Sequence, residues 1–533
     1  MKQHSFTARL KSLALVFSIA MAFTSCATED MVQNPTNPNE DNNKSLTTFV
    51  AGDETKTRTS MDYNSGDFYW EADDYIYVKD DDGTWQKSAN APTSKVAAFK
   101  YEVPGKFTAS TSYKVYYLGK NSNGSQVKIS DKQKQTAPDN TEHFGTAGDY
   151  GSATATKVTG KQQFQFTLEH QPAYLVFQPY TSNTILNKCY LTKVEVTSNN
   201  DIAESYTINT GTDNLDASNG GKKIVLTTKS TSGAYTNGFP LTNNAASRTT
   251  NGAYMIIKPG THTLKVRYWV KDLNTKVEGT ITKILPSTAY SSNTYYDVTA
   301  NLNVRDYDGD HYYMWDAQDQ YWKGHEWNLG GSQPTLDYKI PGAPTSNDYA
   351  KNNSDSRYYN EADFGTGISN PATHTSCKDL PNANELSWYA MYGDPRWDAD
   401  ELWTTMGHLY KGGMWFKKKS VLQAAGNYNT EKSADNTTDL RTAYNKFYNN
   451  TDRSSINSGV PSAAEANNYF YLPALGHYEQ YLLDSIGDGG YYWSSSAISW
   501  HSLYAYGMTF SPDSVNVYHY LRSLGYRVEP SFK

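Results

Sequence analysis

The sequence predicts a mostly β protein, on three observations. Charged residues make up only 19% of the 533-residue chain, below the roughly 25% of an ordinary soluble domain. Their place is taken by 44 tyrosines, 12 tryptophans and abundant Ser, Thr and Asn, a mixture that favours strands, turns and wet polar surfaces. Short aromatic and apolar runs also recur between clusters of Gly, Asn, Ser and Pro, as in β-sandwiches. The length has room for about three domains, and a hydrophobic content of 38% is enough to build cores. A net charge of −7 gives no electrostatic footprint for nucleic acid, and the one basic run, Lys417-Lys418-Lys419, is too short to make one.

The chain opens with Lys2, Arg9 and Lys11 ahead of an apolar run over residues 13–23. That run is the length of a signal-peptide core and too short to span a bilayer. The expectation is an exported protein with a signal peptide over residues 1–25. Phe23-Thr24-Ser25-Cys26 resembles a bacterial lipobox, which implies lipidation of Cys26 and attachment to the membrane by acyl chains. Phe23 and Ser25 depart from the usual lipobox, and cleavage by an ordinary signal peptidase is the other reading. Residues 26–45, rich in Asn, Pro, Thr, Asp and Glu without apolar periodicity, read as a tether. Glu29 and Asp30 resemble the acidic signal that sends lipoproteins to the cell surface in some Gram-negative anaerobes.

Strand segments follow in order. Residues 46–51, with Leu46, Phe49 and Val50, form a short β-prone segment, and the polar stretch after it contains Arg58. Residues 68–78 read as two strands around an acidic turn. Further strands are expected at 95–103, 113–118, 163–168, 173–177, 191–196, 223–226, 254–257, 264–270 and 277–281. Thr57-Arg58-Thr59, Trp70-Glu71-Ala72-Asp73-Asp74-Tyr75-Ile76, Phe166-Thr167-Leu168-Glu169-His170, Ala173-Tyr174-Leu175 and Tyr295-Tyr296-Asp297-Val298 together resemble the fimbrillins, the lipoprotein pilins of type V pili. Residues 46–302 are covered. The resemblance implies two transthyretin-like β-sandwich lobes and assembly with other fimbrillin subunits by strand exchange. A protease would cut after Arg58, the strand with Leu46, Phe49 and Val50 would be displaced, and a donor strand of the next subunit would take its place. The alternative is that this strand stays as an ordinary edge strand of an uncleaved, membrane-held subunit.

After Leu302 the composition turns aromatic and Gly-rich. Residues 304–376 read mostly as loop. Asn382 with Glu385 three positions on is capping-box-like, and Leu386, Tyr389 and Ala390 share a helical face, so a helix is expected to run to Gly393-Asp394-Pro395. Residues 414–416 and 469–473 read as strands. At 487–510 a glycine turn leads to Tyr491, Tyr492 and Trp493, then a polar loop from Ser494 to Tyr504 carrying Trp500 and His501, then a strand from Ala505. Leu380 to Trp388, Tyr471 to Gly476, Gly490 to Ser496 and Gly525 to Val528 together resemble the FISUMP domain, related to the C-type-lectin-like fold. This implies an α+β lectin-like module over residues 303–533. Departures limit what carries over: there is no Glu-Pro-Asn with Trp-Asn-Asp pair for calcium-dependent sugar binding, and one cysteine, Cys377, gives no two-cysteine copper site.

Several constellations have two readings. Trp500, His501 and Tyr504 either stack on a sugar or protein ligand or pack the core. Asp394, Asp398, Asp400 and Glu401, beside Trp397 and Trp403, suit a Ca²⁺ site or an acid/base pair, but no Asp-x-Asp-x-Asp-Gly loop surrounds them and a solvated turn is the simpler reading. Trp397 and Asp398 join Trp500, His501 and Tyr504 as candidate ligand residues. The serines at 494–496 lack a Gly-x-Ser-x-Gly elbow and read as turn serines. His408 and His477, each beside Gly, read as structural. No catalytic residue, metal or cofactor is expected. Cys189 and Cys377 leave a disulfide open, without a framework around them. The two halves together imply a tip pilin and adhesin on a fimbrium at the outer surface, which accepts a strand and presents the lectin-like module to a glycan or protein. The rival is a surface-anchored glycan-binding lipoprotein that never polymerises.

Overall fold

The computed structural model describes residues 2–5, 46–52, 60–63, 67–120, 122, 124–209, 211–273, 276–361, 371–450 and 456–529. Strand makes up 43% of it and helix 7%, so the chain is mostly β. Among the described residues no helix is long and apolar enough to cross a membrane. Cys26, Arg58 and the tether lie outside the described residues.

The first lobe is built on one sheet, where two stacked layers were expected. Its order is Trp85–Lys87, Ile76–Lys79, Ser112–Tyr117, Gly151–Lys157, Gln163–Phe166, Leu46–Ala51, Phe99–Pro104. The sheet curls until its ends meet, with Ala89 N–H donating to the Glu102 carbonyl at 2.7 Å. Alternate side chains of each strand therefore point into one enclosed core. Phe49, Trp70, Ile76, Tyr101, Val115 and Phe164 are all fully buried there.

The second lobe is a sandwich. Ala173–Tyr180, Ala253–Ile257 and Thr294–Asn301 form one layer, with Lys2–Ser5 paired antiparallel to the last of these. The facing layer contains Lys223–Thr227, Tyr190–Ser198, Gly260–Lys271 and Glu278–Tyr290. Leu175, Phe177, Met255 and Ile257 pack with Val194, Val196, Leu264, Val266 and Tyr268 in one core. Cys189 and Cys377 are both buried free thiols, and burial pushes each up to about 12.

The facing layer does not end with the lobe. Glu278–Tyr290 pairs in parallel with Arg396–Thr405 at Thr280 and Glu401, and the sheet continues through His408–Lys417 to Tyr469–Pro473. The C-terminal region is thus welded to the second lobe along a seam. The helix Ala383–Tyr392 has its capping box, with Asn382 and Glu385 each accepting from the other's backbone. It buries Leu386, Tyr389 and Ala390 against Met414, Phe416, Met508 and Val517. A second sheet runs Tyr312–Tyr313, Tyr526–Arg527, Gly490–Ala497, Tyr504–Ser511, Ser514–Leu521, Tyr448–Asn450.

The seam corrects the reading of the acidic cluster as a solvated turn. Asp398 is only 1% exposed, and its carboxylate accepts from Arg267 Nη2 at 2.9 and 3.2 Å and from Trp415 Nε1 at 3.2 Å. The outer face of Gly260–Lys271 carries Lys265 and Arg267, both buried because the C-terminal region covers them. Lys265 Nζ donates to the Pro461 carbonyl at 2.8 Å, and burial pushes its ammonium down to about 8. Glu401 accepts from Thr282 N at 3.0 Å, Thr282 Oγ1 at 2.6 Å and Thr280 Oγ1 at 3.2 Å.

Among the described residues the guanidinium thus pairs with Asp398 alone, and Thr280, which accepts from Arg267 and donates to Glu401, stands between it and the second carboxylate. Burial and the Asp398 charge push Glu401 up to about 7, from an ordinary value of 4.5. Between these values the folded chain keeps a proton that the unfolded chain has lost, so the contribution of Glu401 to stability is complete below pH 4.5 and declines as pH rises through 7. Denaturant titrations from pH 4.5 to 7.5 should show wild-type stability falling relative to Glu401→Gln as pH rises, by at most about 1.4 kcal/mol per pH unit. Parallel curves would remove Glu401 from the seam electrostatics.

Candidate functional site

Two surfaces carry the candidate residues. The first is the slot filled by Leu46–Ala51. This strand is interior to its sheet: it pairs antiparallel with Phe99–Pro104 on one side and parallel with Gln163–Phe166 on the other. The alternative reading, an ordinary edge strand, is corrected here. Both flanks are satisfied by chain that is distant in sequence, which no local pattern reveals. Phe49 is 0% exposed and sits 5.1 Å from Phe107 edge-on and 5.1 Å from Phe164 in a stack. Ala51 is likewise buried, Val50 is half-buried, and Leu46 at the outer end is 52% exposed. Thr48 Oγ1 donates to Glu102 Oε1 at 3.0 Å, and Gly52 N–H to the Phe166 carbonyl at 3.0 Å. After Gly52 the described chain is interrupted until residue 60.

The second surface lies in the C-terminal region. Ser494, Ser495 and Ser496 belong to the strand Gly490–Ala497 rather than to a loop. Ser494 Oγ donates to the Tyr506 carbonyl at 2.7 Å, and Ser496 Oγ accepts from Ala383 N at 3.0 Å. The hydroxyls of Ser494 and Ser496 are thus bonded to backbone, which is how polar residues sit inside a buried strand. The loop is therefore shorter, residues 498–503, and Tyr504 opens the next strand.

Within and beside this loop the rings form a ledge. The Trp500 ring lies 5.4 Å from Tyr444, 5.0 Å from His519 and 6.3 Å from His501. Tyr504 lies 4.8 Å from His501 and 5.4 Å from His519, and Tyr518 and Phe447 extend the row. Ser499 Oγ donates to the Ala443 carbonyl at 3.1 Å and ties the loop to the segment that carries Tyr444. Tyr444 is 79% exposed, and Phe447 and Leu503 are also exposed. Burial, with the nearby His501, pushes His519 down, so its imidazole is neutral at pH 7.

The structure thus brings Trp500, His501 and Tyr504 together and adds Tyr444, Phe447, Tyr518 and His519. The Tyr-His-Tyr run at 518–520 is the sequence signal for Tyr518 and His519, whereas Tyr444 and Phe447 carry none. Trp397 and Asp398 lie elsewhere, on the strand Arg396–Thr405 at the seam. The Asp398 carboxylate is already committed to Arg267 and Trp415, which removes it as a ligand group. Trp397 is half-buried and lines a cavity. His477 is buried, and burial pushes it down to about 4.

No protein-family model and no curated protein matches the sequence. Solved structures that are similar include a candidate cell adhesion protein from Bacteroides ovatus, at 13% identity and TM-score 0.29, covering 48% of this chain and 93% of that one. The fimbrial anchor protein Mfa2 from Porphyromonas gingivalis is similar at 12% identity and TM-score 0.22, covering 45% and 83%. A fimbrial protein from Bacteroides ovatus is similar at 10% identity and TM-score 0.23, covering 91% and 98%. With TM-scores below 0.5, these likenesses carry no assignment of family or activity.

The slot gives a direct stability prediction. Phe49→Ala should cost about 3–5 kcal/mol, the range for emptying an aromatic core position, and Leu46→Ala less than about 1 kcal/mol, as at an exposed site. Urea denaturation of both variants checks this, and equal costs would contradict the placement of Phe49 in the core.

Proposed function

We propose that this chain is the tip subunit and adhesin of a type V fimbria. It is exported, lipidated at Cys26 and carried to the outer membrane. Proteolysis after Arg58 then frees the strand with Leu46, Phe49 and Val50. A donor strand from the next subunit fills the vacated slot, and the C-terminal lectin-like module faces outward to a glycan or protein ligand. The reading assigns no catalytic role and no metal or cofactor.

The observation that supports it most is the interior position of Leu46–Ala51. Withdrawing an interior strand leaves rows of backbone N–H and C=O groups on both sides, with an apolar pocket at the Phe49 position between them. Unsatisfied buried backbone groups cost about 1–3 kcal/mol each, so an emptied slot strongly favours strand addition. The incoming strand must offer a large apolar side chain where Phe49 sits and a small one where Ala51 sits. The strand Tyr526–Arg527 supports the terminal position. Arg527 is 1% exposed, donates to Glu529 at 2.6 Å and to the Asp308 carbonyl at 2.9 Å, and holds this segment inside the module. It is not available as a donor.

The second reading is the surface-anchored glycan-binding lipoprotein that does not polymerise. The complete burial of Phe49 favours it to the extent that a strand so well packed stays in place when uncut.

The test is strand replacement. After cleavage by an arginine-specific protease, the chain is incubated with excess labelled peptide of the sequence SLTTFVAG. Incorporation of the label, and its absence for the same peptide with Asp in place of Phe, is the expected outcome. A cleaved chain that keeps its own segment and takes up neither peptide over days would support the non-polymerising reading.

A further inference from the structure

At the seam between the second lobe and the C-terminal region lies an open cavity of about 550 Å³, within the range of small-ligand sites. Its apolar walls are Trp397, Leu409, Tyr410, Leu336, Ile340 and, from the lobe, Val277. Trp397 is only half-buried, although the strand around it buries Asp398, Leu402 and Trp403. A large indole is thus left with solvent-facing surface inside a concavity. Gly412, at φ +99°, makes this possible: a Cβ there would meet the Gly487 carbonyl oxygen at 2.7 Å and the Trp397 ring at 3.4 Å. Tyr410 is held by its hydroxyl, which donates to the Thr335 carbonyl at 3.2 Å, and by stacking on Trp403 at 5.4 Å.

The rim is polar and has bonding capacity to spare. Asp488 is exposed, and its carboxylate makes no hydrogen bond or ion pair among the described residues. His408 likewise has no hydrogen-bond partner among them, and burial pushes it down, so it offers one donor and one acceptor at pH 7. Lys411 Nζ donates to the Glu278 carbonyl at 3.1 Å and to Asp400 at 3.4 Å, which leaves the third ammonium proton for a ligand. Since Lys411 is paired with Asp400, the rim carries no surplus cation to select an acid. A purely apolar ligand would leave these groups dry and unpaired, at a cost.

We propose that this cavity is a ligand site for a neutral pyranose ring. The C–H face of the sugar lies on Trp397, with Tyr410 and Leu409 beside it, and its hydroxyls bond Asp488, His408 and Lys411. The inference rests on the adhesive half of the proposed function and not on strand exchange. It places sugar recognition at the seam, where a bound ring bridges lobe and module. The ledge around Trp500 differs, since its rings pack on one another.

The test uses the full exported chain and the methyl glycosides of glucose, galactose, mannose and N-acetylglucosamine at millimolar concentration. Binding is read by saturation-transfer NMR and tryptophan fluorescence. At least one glycoside should bind saturably, and Trp397→Ala should weaken it at least tenfold. Ala399→Trp, which fills the cavity from an exposed position, should do the same with an unchanged melting temperature. Saturable binding that survives Ala399→Trp would overturn the site while leaving the adhesive reading in place. Absence of binding by every glycoside would overturn the inference without touching strand exchange. Uptake of an apolar dye into the cavity with no glycoside bound would overturn it in favour of an apolar partner.

Discussion

The two-sided pairing of Leu46–Ala51 is the constraint on which the first lobe depends. One short strand joins Phe99–Pro104 to the rest of the sheet through Gln163–Phe166, and its Phe49 ring is clasped by Phe107, Tyr113 and Phe164. Six residues thus close a curled sheet and fill the middle of its core. In sequence the same residues follow a stretch rich in Asn, Pro and Thr and precede a polar one with Arg58. Under the proposed cleavage after Arg58, the vacated slot would take a strand of matching shape.

The second dependence is the seam. A lobe with Lys265 and Arg267 on the outer face of its sheet would leave them solvated if the C-terminal region were a loosely tethered module. Instead both are buried, one on the Pro461 carbonyl and one on Asp398. Removing one partner of such a pair typically costs several kcal/mol because the other charge stays buried alone. The pair therefore fixes register between lobe and module, and the Thr280–Glu401 bridge extends the lobe's sheet into the module. Lobe and C-terminal region are thus joined through backbone hydrogen bonds of one continuous sheet.

Much of the local structure was legible in the sequence. The strands over 173–177, 191–196, 254–257 and 264–270 lie where aromatic and β-branched runs placed them, each extended by between one and five residues. The Asn382 and Glu385 box caps the helix as its spacing required. Long-range pairing was not legible. The interior position of Leu46–Ala51 could not be read locally, because its parallel partner begins at Gln163. Asp398 looked solvated because the guanidinium that neutralises it lies 131 residues upstream. The serines at 494–496 looked like loop because the hydroxyls of Ser494 and Ser496 are satisfied by Tyr506 and Ala383, partners that no local window contains. Trp500, His501 and Tyr504 were found by their density, whereas Tyr444 and His519 join them only through folding.

The most direct measurement is N-terminal sequencing and intact mass of this chain from sheared surface fimbriae and, separately, from outer membrane. The account predicts a chain that begins at Thr59 in the fimbrial fraction, with the Leu46–Ala51 segment gone. A lipidated chain that begins at Cys26 and occurs only in the membrane fraction would contradict it.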